Sequence, residues 1–196
     1  MQSVCIFCGS NFGEGPVYEA AAKAFGRALA EAGCALVYGG GKIGLMGVIA
    51  DSVLSAGGKA IGVMPQVLID KEQAHGGLTQ MHVVADMSER KKKMAELADG
   101  FVALPGGLGT YEELFEVLSW AQLRLHEKPI GALNVNGFFN PLQHMLEETV
   151  KAGFMRRANC TLLVVRENAD QLLADLKNYQ PEHAHKWLPH GGKADS

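Results

Sequence analysis

Short, mostly apolar runs recur along the chain, separated by longer stretches in which apolar positions return every three or four residues. The runs Val4–Cys8, Ala35–Tyr38, Ala60–Val63, Met81–Val84, Phe101–Leu104, Ile130–Leu133 and Leu162–Val165 read as strands buried on both faces. The stretches Tyr18–Ala32, Gly44–Ala56, Ser88–Leu97, Thr110–Arg124, Pro141–Ala152 and Ala169–Asn178 carry helical periodicity. Strand alternating with helix predicts an α/β fold of the Rossmann-like, doubly wound kind, a mainly parallel sheet of about seven strands with helices on both faces. Gly33, Gly57-Gly58 and Gly153 stand where three helices need a left-handed terminator. The segment Pro65–Gly77 breaks the rhythm with a loop of mixed polarity and is a candidate lid. Residues 1–180 form one expected domain. Residues 181–196, with Pro181, Pro189, Gly191-Gly192 and three histidines (His183, His185, His190), read as a flexible tail.

Composition narrows the classes. The chain has 196 residues, 47% of them hydrophobic and 20% charged, with a net charge of −3 and 24 glycines. A glycine share well above the usual ~7% makes tight backbone turns central. The only basic run is Arg90-Lys91-Lys92-Lys93, so neither nucleic acid nor a membrane surface is an expected partner. No apolar run reaches the ~18 residues of a membrane span, and the first strand begins within a few residues of Met1. Cytoplasmic location is the expectation.

Cys5-Ile6-Phe7-Cys8 has the spacing of a redox or zinc half-motif. Within a strand, however, residues three apart point to opposite faces, and no second Cys/His pair with ligand spacing accompanies it. Packing is the expected role. His75, His82, His126 and His144 are scattered without an i, i+4 pair. No metal and no cofactor are expected.

The informative stretch is Pro105-Gly106-Gly107-Leu108-Gly109-Thr110-Tyr111-Glu112-Glu113, a glycine-rich turn leading from a strand into a helix. At such a turn the backbone approaches a ligand closely, and the unpaired N–H groups of the first helical turn attract an anion. Glu112 and Glu113 are expected in that first turn. A second glycine-rich turn, Gly39-Gly40-Gly41-Lys42-Ile43-Gly44-Leu45-Met46-Gly47, has the spacing Gly39-x-Gly41-x-x-Gly44 of a dinucleotide fingerprint but lacks the acidic strand end that should follow. No Gly-Lys-Ser/Thr follows either, which excludes a Walker loop. Two such turns in one sheet predict a mononucleotide held at both sides, beyond the carboxyl ends of the strands. Arg90 and Lys91 open a helix on that same side, and the planar guanidinium suits phosphate or carboxylate.

Together, Cys8-Gly9-Ser10, Tyr38-Gly39-Gly40-Gly41, Gly44-Leu45-Met46-Gly47, Met87-x-x-Arg90-Lys91 and Pro-Gly-Gly-x-Gly-Thr-x-x-Glu at 105 to 113 closely resemble the Lonely Guy family, over about residues 3 to 178. The resemblance implies a Rossmann-like homodimer that hydrolyses the N-glycosidic bond of cytokinin riboside 5′-monophosphates or AMP to free base and ribose 5-phosphate. It implies Arg90 and Glu113 as the catalytic pair. For substrate binding it implies Glu72, Lys91 and Gly106, Gly107, Leu108, Gly109, Thr110 and Glu112, and the shared motifs add Ser10, Gly40, Gly41, Gly44, Met46, Gly47, Met87 and Pro105. Asp70–His75 is similar to the bacterial form of the family's loop and differs from the plant form. Many such sequences carry a lysine decarboxylase label, but no pyridoxal phosphate site is legible here. For the implied dimer, Leu114, Leu118 and Trp120 fit an interface and a core equally.

The chemistry agrees. Glycosidic cleavage passes through a sugar cation, which a carboxylate such as Glu113 stabilises, or for which it binds ribose hydroxyls or activates water. A guanidinium does not donate a proton at neutral pH, so Arg90 is expected to anchor the phosphate or orient Glu113. The competing class is a non-catalytic binding protein for a nucleotide or a molybdenum-cofactor-like ligand. Arg90 and Glu113 together favour the enzyme.

Overall fold

A computed structural model describes residues 1–69, 71 and 74–181. Seven parallel strands form a single sheet in the order β4-β3-β2-β1-β5-β6-β7. They are β1 (Ser3–Phe7), β2 (Ala35–Tyr38), β3 (Ala60–Pro65), β4 (Gln80–Val84), β5 (Gly100–Ala103), β6 (Ile130–Leu133) and β7 (Leu163–Arg166). The strands β5 and β6 are buried at every position, whereas the edge strand β4, expected to be covered on both faces, is fully buried only at Val84.

The helices are α1 (Val17–Glu31), α2 (Gly44–Ser55), α3 (Gln66–Ile69), α4 (Met87–Leu97), α5 (Leu108–Gln122), α6 (Asn140–Lys151) and α7 (Ala169–Lys177). One core joins Val4, Ile6, Leu36 and Tyr38 to Phe25, Leu29, Ile49 and Leu172, from α1, α2 and α7. The other joins Cys5, Phe7, Val37 and Phe101 to Met94, Leu114 and Leu142, from α4, α5 and α6. Alternate residues of β1 thus face different layers. Cys5 lies in the second core and Cys8 packs against the first, so the two thiols sit on opposite faces as strand geometry demands.

Gly33, Gly57 and Gly153 take φ of 70°, 79° and 80°, the left-handed conformation expected of them. Gly58 is not left-handed. α5 ends at Gln122 through a residue that is not glycine: Arg124 adopts φ 59°, and Leu125 donates its amide to the Trp120 carbonyl at 2.9 Å. The expected loop after β3 opens instead with the short helix α3. Its return limb then pairs Ala74 with Gly41 in an antiparallel bridge, and the His75 amide donates to the Gly40 carbonyl at 2.9 Å.

The chain runs outward from β1 through β4, then returns to the centre to place β5 beside β1. The order reverses between β1 and β5. At such a reversal the loops leaving adjacent strands diverge and open a crevice beyond the carboxyl ends.

Candidate functional site

The turns after β1 and β5 meet at that crevice. Leu104 donates its amide to the Phe7 carbonyl at 2.9 Å and Gly9 donates to the Pro105 carbonyl at 3.1 Å, so the pairing continues past the regular strands. Gly106 is required by contact: a β-carbon there would overlap the Thr110 hydroxyl and lie 2.7 Å from the Gly9 nitrogen. Thr110 is itself buried, and the glycine and threonine of the motif therefore occupy one space.

Gly107 caps α5 in an extended conformation, and the first helical bond runs from the Tyr111 amide to the Gly107 carbonyl at 3.2 Å. The amides of Leu108, Gly109 and Thr110 precede that bond and point out of the helix end, where they favour an anion. A β-carbon at Gly107 or Gly109 would meet open space. This early start corrects one expectation. Because the helix begins at Leu108, Glu112 and Glu113 lie in its second turn, on the helix wall rather than at its mouth.

The second glycine turn is packed differently. Gly44 opens α2 with φ 58°, and a β-carbon on it would overlap the Ser10 carbonyl carbon. The Leu45 amide, at the helix mouth, is spent on the Gly9 carbonyl at 3.0 Å. Gly47 makes room for the Lys42 carbonyl, and Gly41 accepts from the Tyr38 hydroxyl at 3.1 Å. Met46 packs against the first core. These residues hold the turns after β1 and β2 together, and the amides open to an anion are chiefly those of α5. Ser10 stays exposed between the two turns.

Arg90 is 6% exposed. Its Nε donates to the Val63 carbonyl and its Nη2 to the Gly39 carbonyl, both at 3.0 Å, so the guanidinium is seated across the ends of β3 and β2. Nη1 reaches Sδ of Met87 at 3.7 Å. The capping of α4 fixes this approach: the Asp86 carboxylate accepts from the Glu89 amide at 2.8 Å, and the Arg90 amide donates to the Asp86 carbonyl. The roles of Gly39 and Val63 were not visible in the sequence, since only their carbonyls take part.

Glu113 lines a small cavity with Phe7, Met94, Phe101, Val117 and Trp120, together with the charged Lys91 and Glu116. Burial raises its pKa to about 7, with the Arg90 charge opposing that rise and Glu112 adding to it. Among the described residues no ion pair joins Arg90 to Glu113; the two act on each other through space. Lys91, expected to bind substrate, donates from Nζ to Glu112 at 2.5 Å and Glu116 at 3.0 Å. Its own pKa is raised, first by the Glu112 bond. Glu116 was missed by sequence reading because it lies one turn beyond the motif.

The interface expectation for α5 is also settled in part. Leu114 is fully buried, and Leu118 and Trp120 pack partly buried against the same core. The apolar residues α5 leaves outside are Leu108, 88% exposed, and Phe115. Glu72 lies outside the described residues, as does the tail beyond Pro181.

Strands are about 4.8 Å apart, so about 10 Å separates the Arg90 seat, between β3 and β2, from the amide cradle between β1 and β5. Glu113 lines its cavity with Phe7 of β1 and Phe101 of β5, near enough to Arg90 to feel its charge. A cation, a carboxyl group poised near neutrality and an anion cradle thus follow one another along one edge of the sheet.

Comparison with known proteins bears on the fold and the family. The fold matches the molybdenum cofactor carrier protein of Chlamydomonas reinhardtii with a TM-score of 0.68, covering 90% of this chain and 96% of that one at 21% identity. A molybdenum cofactor binding protein of Rippkaea orientalis matches with a TM-score of 0.66 at 18% identity, covering 90% of this chain and 96% of that one. At those identities the likeness concerns the fold alone. Residues 46–176 match a family model described as "possible lysine decarboxylase". Two cytokinin riboside 5′-monophosphate phosphoribohydrolases of Arabidopsis thaliana are much nearer in sequence. One is 44% identical over 179 residues, 91% of this chain and 82% of that protein. The other is 43% identical over 180 residues, 92% of this chain and 84% of that protein. With family-model residues and relatives of matching length both in agreement, the chain belongs to the Lonely Guy family.

Proposed function

We infer that the protein hydrolyses the N-glycosidic bond of cytokinin riboside 5′-monophosphates or AMP, releasing the free base and ribose 5-phosphate. The observation that carries this reading is the order along the sheet edge: the Arg90 seat, the Glu113 carboxyl, then the amides at the start of α5. That order matches a nucleotide laid with its base toward β2 and β3 and its phosphate between β1 and β5.

In the reaction the bond from C1′ to the base nitrogen breaks, the base keeps the electron pair, and water supplies the oxygen to C1′ and, in net, a proton to the base. Glu113 is suited to both halves. With a pKa of about 7 it is divided between acid and carboxylate near neutrality. The acid form donates a proton toward the departing base, and the carboxylate stabilises the sugar cation or activates water. Arg90 is a permanent cation held rigidly by two carbonyls, so it stabilises charge developing on the base without giving up a proton. Its distance from the α5 amides argues against phosphate as its partner. Lys91, Glu112 and Glu116 hold α4 against α5 and so fix Glu113 relative to Arg90.

A homodimer is part of the proposal, with exposed Leu108 and Phe115 of α5 as candidate contacts. Light scattering at micromolar concentration checks it; a monomer alone removes it.

Incubation with AMP and with a prenylated AMP, followed by chromatography, tests the activity. Base and ribose 5-phosphate are expected in equal amounts. Absence of free base from both substrates would overturn the reading.

A further inference from the structure

A hollow of about 190 Å³ opens beside the start of α5. Phe12, Tyr18, Leu45 and Phe138 form its apolar walls, beside the uncharged Ser10 and Asn11 and the turn at Gly106 and Gly107. The catalytic proposal uses none of the four walls. The rings are set against one another: Tyr18 meets Phe138 edge-on at 6.1 Å between centroids, and Phe138 in turn stacks on Tyr111 at 6.3 Å. Phe12 stands half-exposed at the mouth. The loop that carries it is shaped for this, because Gly13 takes φ 75° where a β-carbon would press on the Tyr18 ring at 2.7 Å.

Three features point to one kind of occupant. The hollow's Gly106 and Gly107 lead directly into the Leu108–Thr110 amides of the anion cradle, so whatever fills it lies next to a bound phosphate. None of its lining residues carries a charge, so a further phosphate would find no cation there. Its volume is below the ~300–1,000 Å³ of sites that take whole drug-sized ligands, which leaves room for a single ring system between aromatic walls.

We propose that this hollow is a second subsite, beyond the phosphate, which accepts a neutral aromatic group esterified to the nucleotide's 5′-phosphate. The substrate class then extends from nucleoside 5′-monophosphates to their aryl phosphodiesters, with the base still placed toward Arg90. The inference rests on the reading of the α5 start as the phosphate site.

The test compares adenosine 5′-phenyl phosphate with adenosine 5′-methyl phosphate, which carries the same charge without the ring. Binding is measured by calorimetry on the full chain, and adenine release is followed alongside. The phenyl ester is expected to bind about tenfold more tightly than the methyl ester, the worth of one ring stacked on aromatic side chains. Phe12→Ala and Phe138→Ala should each erase that difference while leaving the KM for AMP unchanged. Phe12 is exposed enough that its truncation spares the core, so the test survives if the second variant melts early. Equal affinity for the two esters would overturn the proposal. So would an AMP affinity that falls in the variants as far as that of the phenyl ester, since the hollow would then hold the nucleotide's own base. Calorimetry decides these points without turnover, so a lack of adenine release would count against the hydrolase reading alone.

Discussion

The Nη2 group of Arg90 donates to the carbonyl of Gly39 at 3.0 Å, and a β-carbon on that glycine would overlap the same nitrogen. The end of β2 is thus shaped to receive a cation from α4, some fifty positions away in the chain. Gly39 has no left-handed backbone to explain its presence. The explanation is contact.

Gly39→Ala is therefore expected to fold, since its backbone suits alanine, but to push the guanidinium off its seat. Turnover should fall by about 10²–10³, the usual cost of misplacing a charge-stabilising group. Steady-state kinetics beside a melting curve checks this. Near-native turnover would show that the seat of Arg90 does not matter to the chemistry.

Glu113→Gln should lose activity on the same scale, about 10²–10³, yet gain stability at alkaline pH. The folded pKa of about 7 lies above the unbound value of 4.5, so the protonated form favours the fold. That contribution is complete below pH 4.5 and is lost as pH rises through 7. The variant, which never ionises, keeps it. Its margin over the unaltered protein should be about 1 kcal/mol at pH 5 and, by linkage, on the order of 3 kcal/mol at pH 9. Denaturant unfolding at the two pH values measures the margin, and a constant difference would remove burial as the cause of the shift.

Gly106→Ala places a methyl group on the Thr110 hydroxyl and close to the Gly9 amide. The turn must open, moving the α5 amides away from the phosphate. The preference for AMP over adenosine in kcat/KM should shrink by at least about tenfold, a value equivalent to losing one charge-assisted hydrogen bond. An unchanged preference would place the phosphate elsewhere.

His75→Ala tests the segment after β3. The ring accepts from the Gly77 amide through Nδ1 at 3.1 Å, and its Nε2 lies 2.9 Å from the Asp51 carboxylate of α2. Its removal should loosen residues 74–77 beside the Gly40–Gly41 turn, raising the KM for AMP a few-fold, as ~1 kcal/mol of lost hydrogen bonding implies. Faster limited proteolysis within this segment is the second readout. Identical cleavage rates would show that the Ala74–Gly41 bridge suffices.

Local pattern decided much about this protein by itself. Short apolar runs fit only strands covered on both faces, so the parallel sheet and its helices were legible, with ends misplaced by a residue or two where caps shift. The Pro105–Glu113 motif was legible as a cradle because glycine and helix-end chemistry act within a few residues. Long-range contact decided the rest. Two glycine-rich turns look alike in sequence, yet the amide of Leu45 is consumed by Gly9, while the start of α5 stays open. Arg90 reads from sequence as a cation on the ligand side of the sheet, but only the carbonyls of Gly39 and Val63 draw it into the interior, while Lys91 beside it pairs with Glu112 and Glu116. Backbone carbonyls leave no signature in side-chain identity. The pKa of Glu113 depends on how fully Phe7, Met94 and Phe101 exclude water from it, and those side chains come from three elements that meet only when the sheet is assembled.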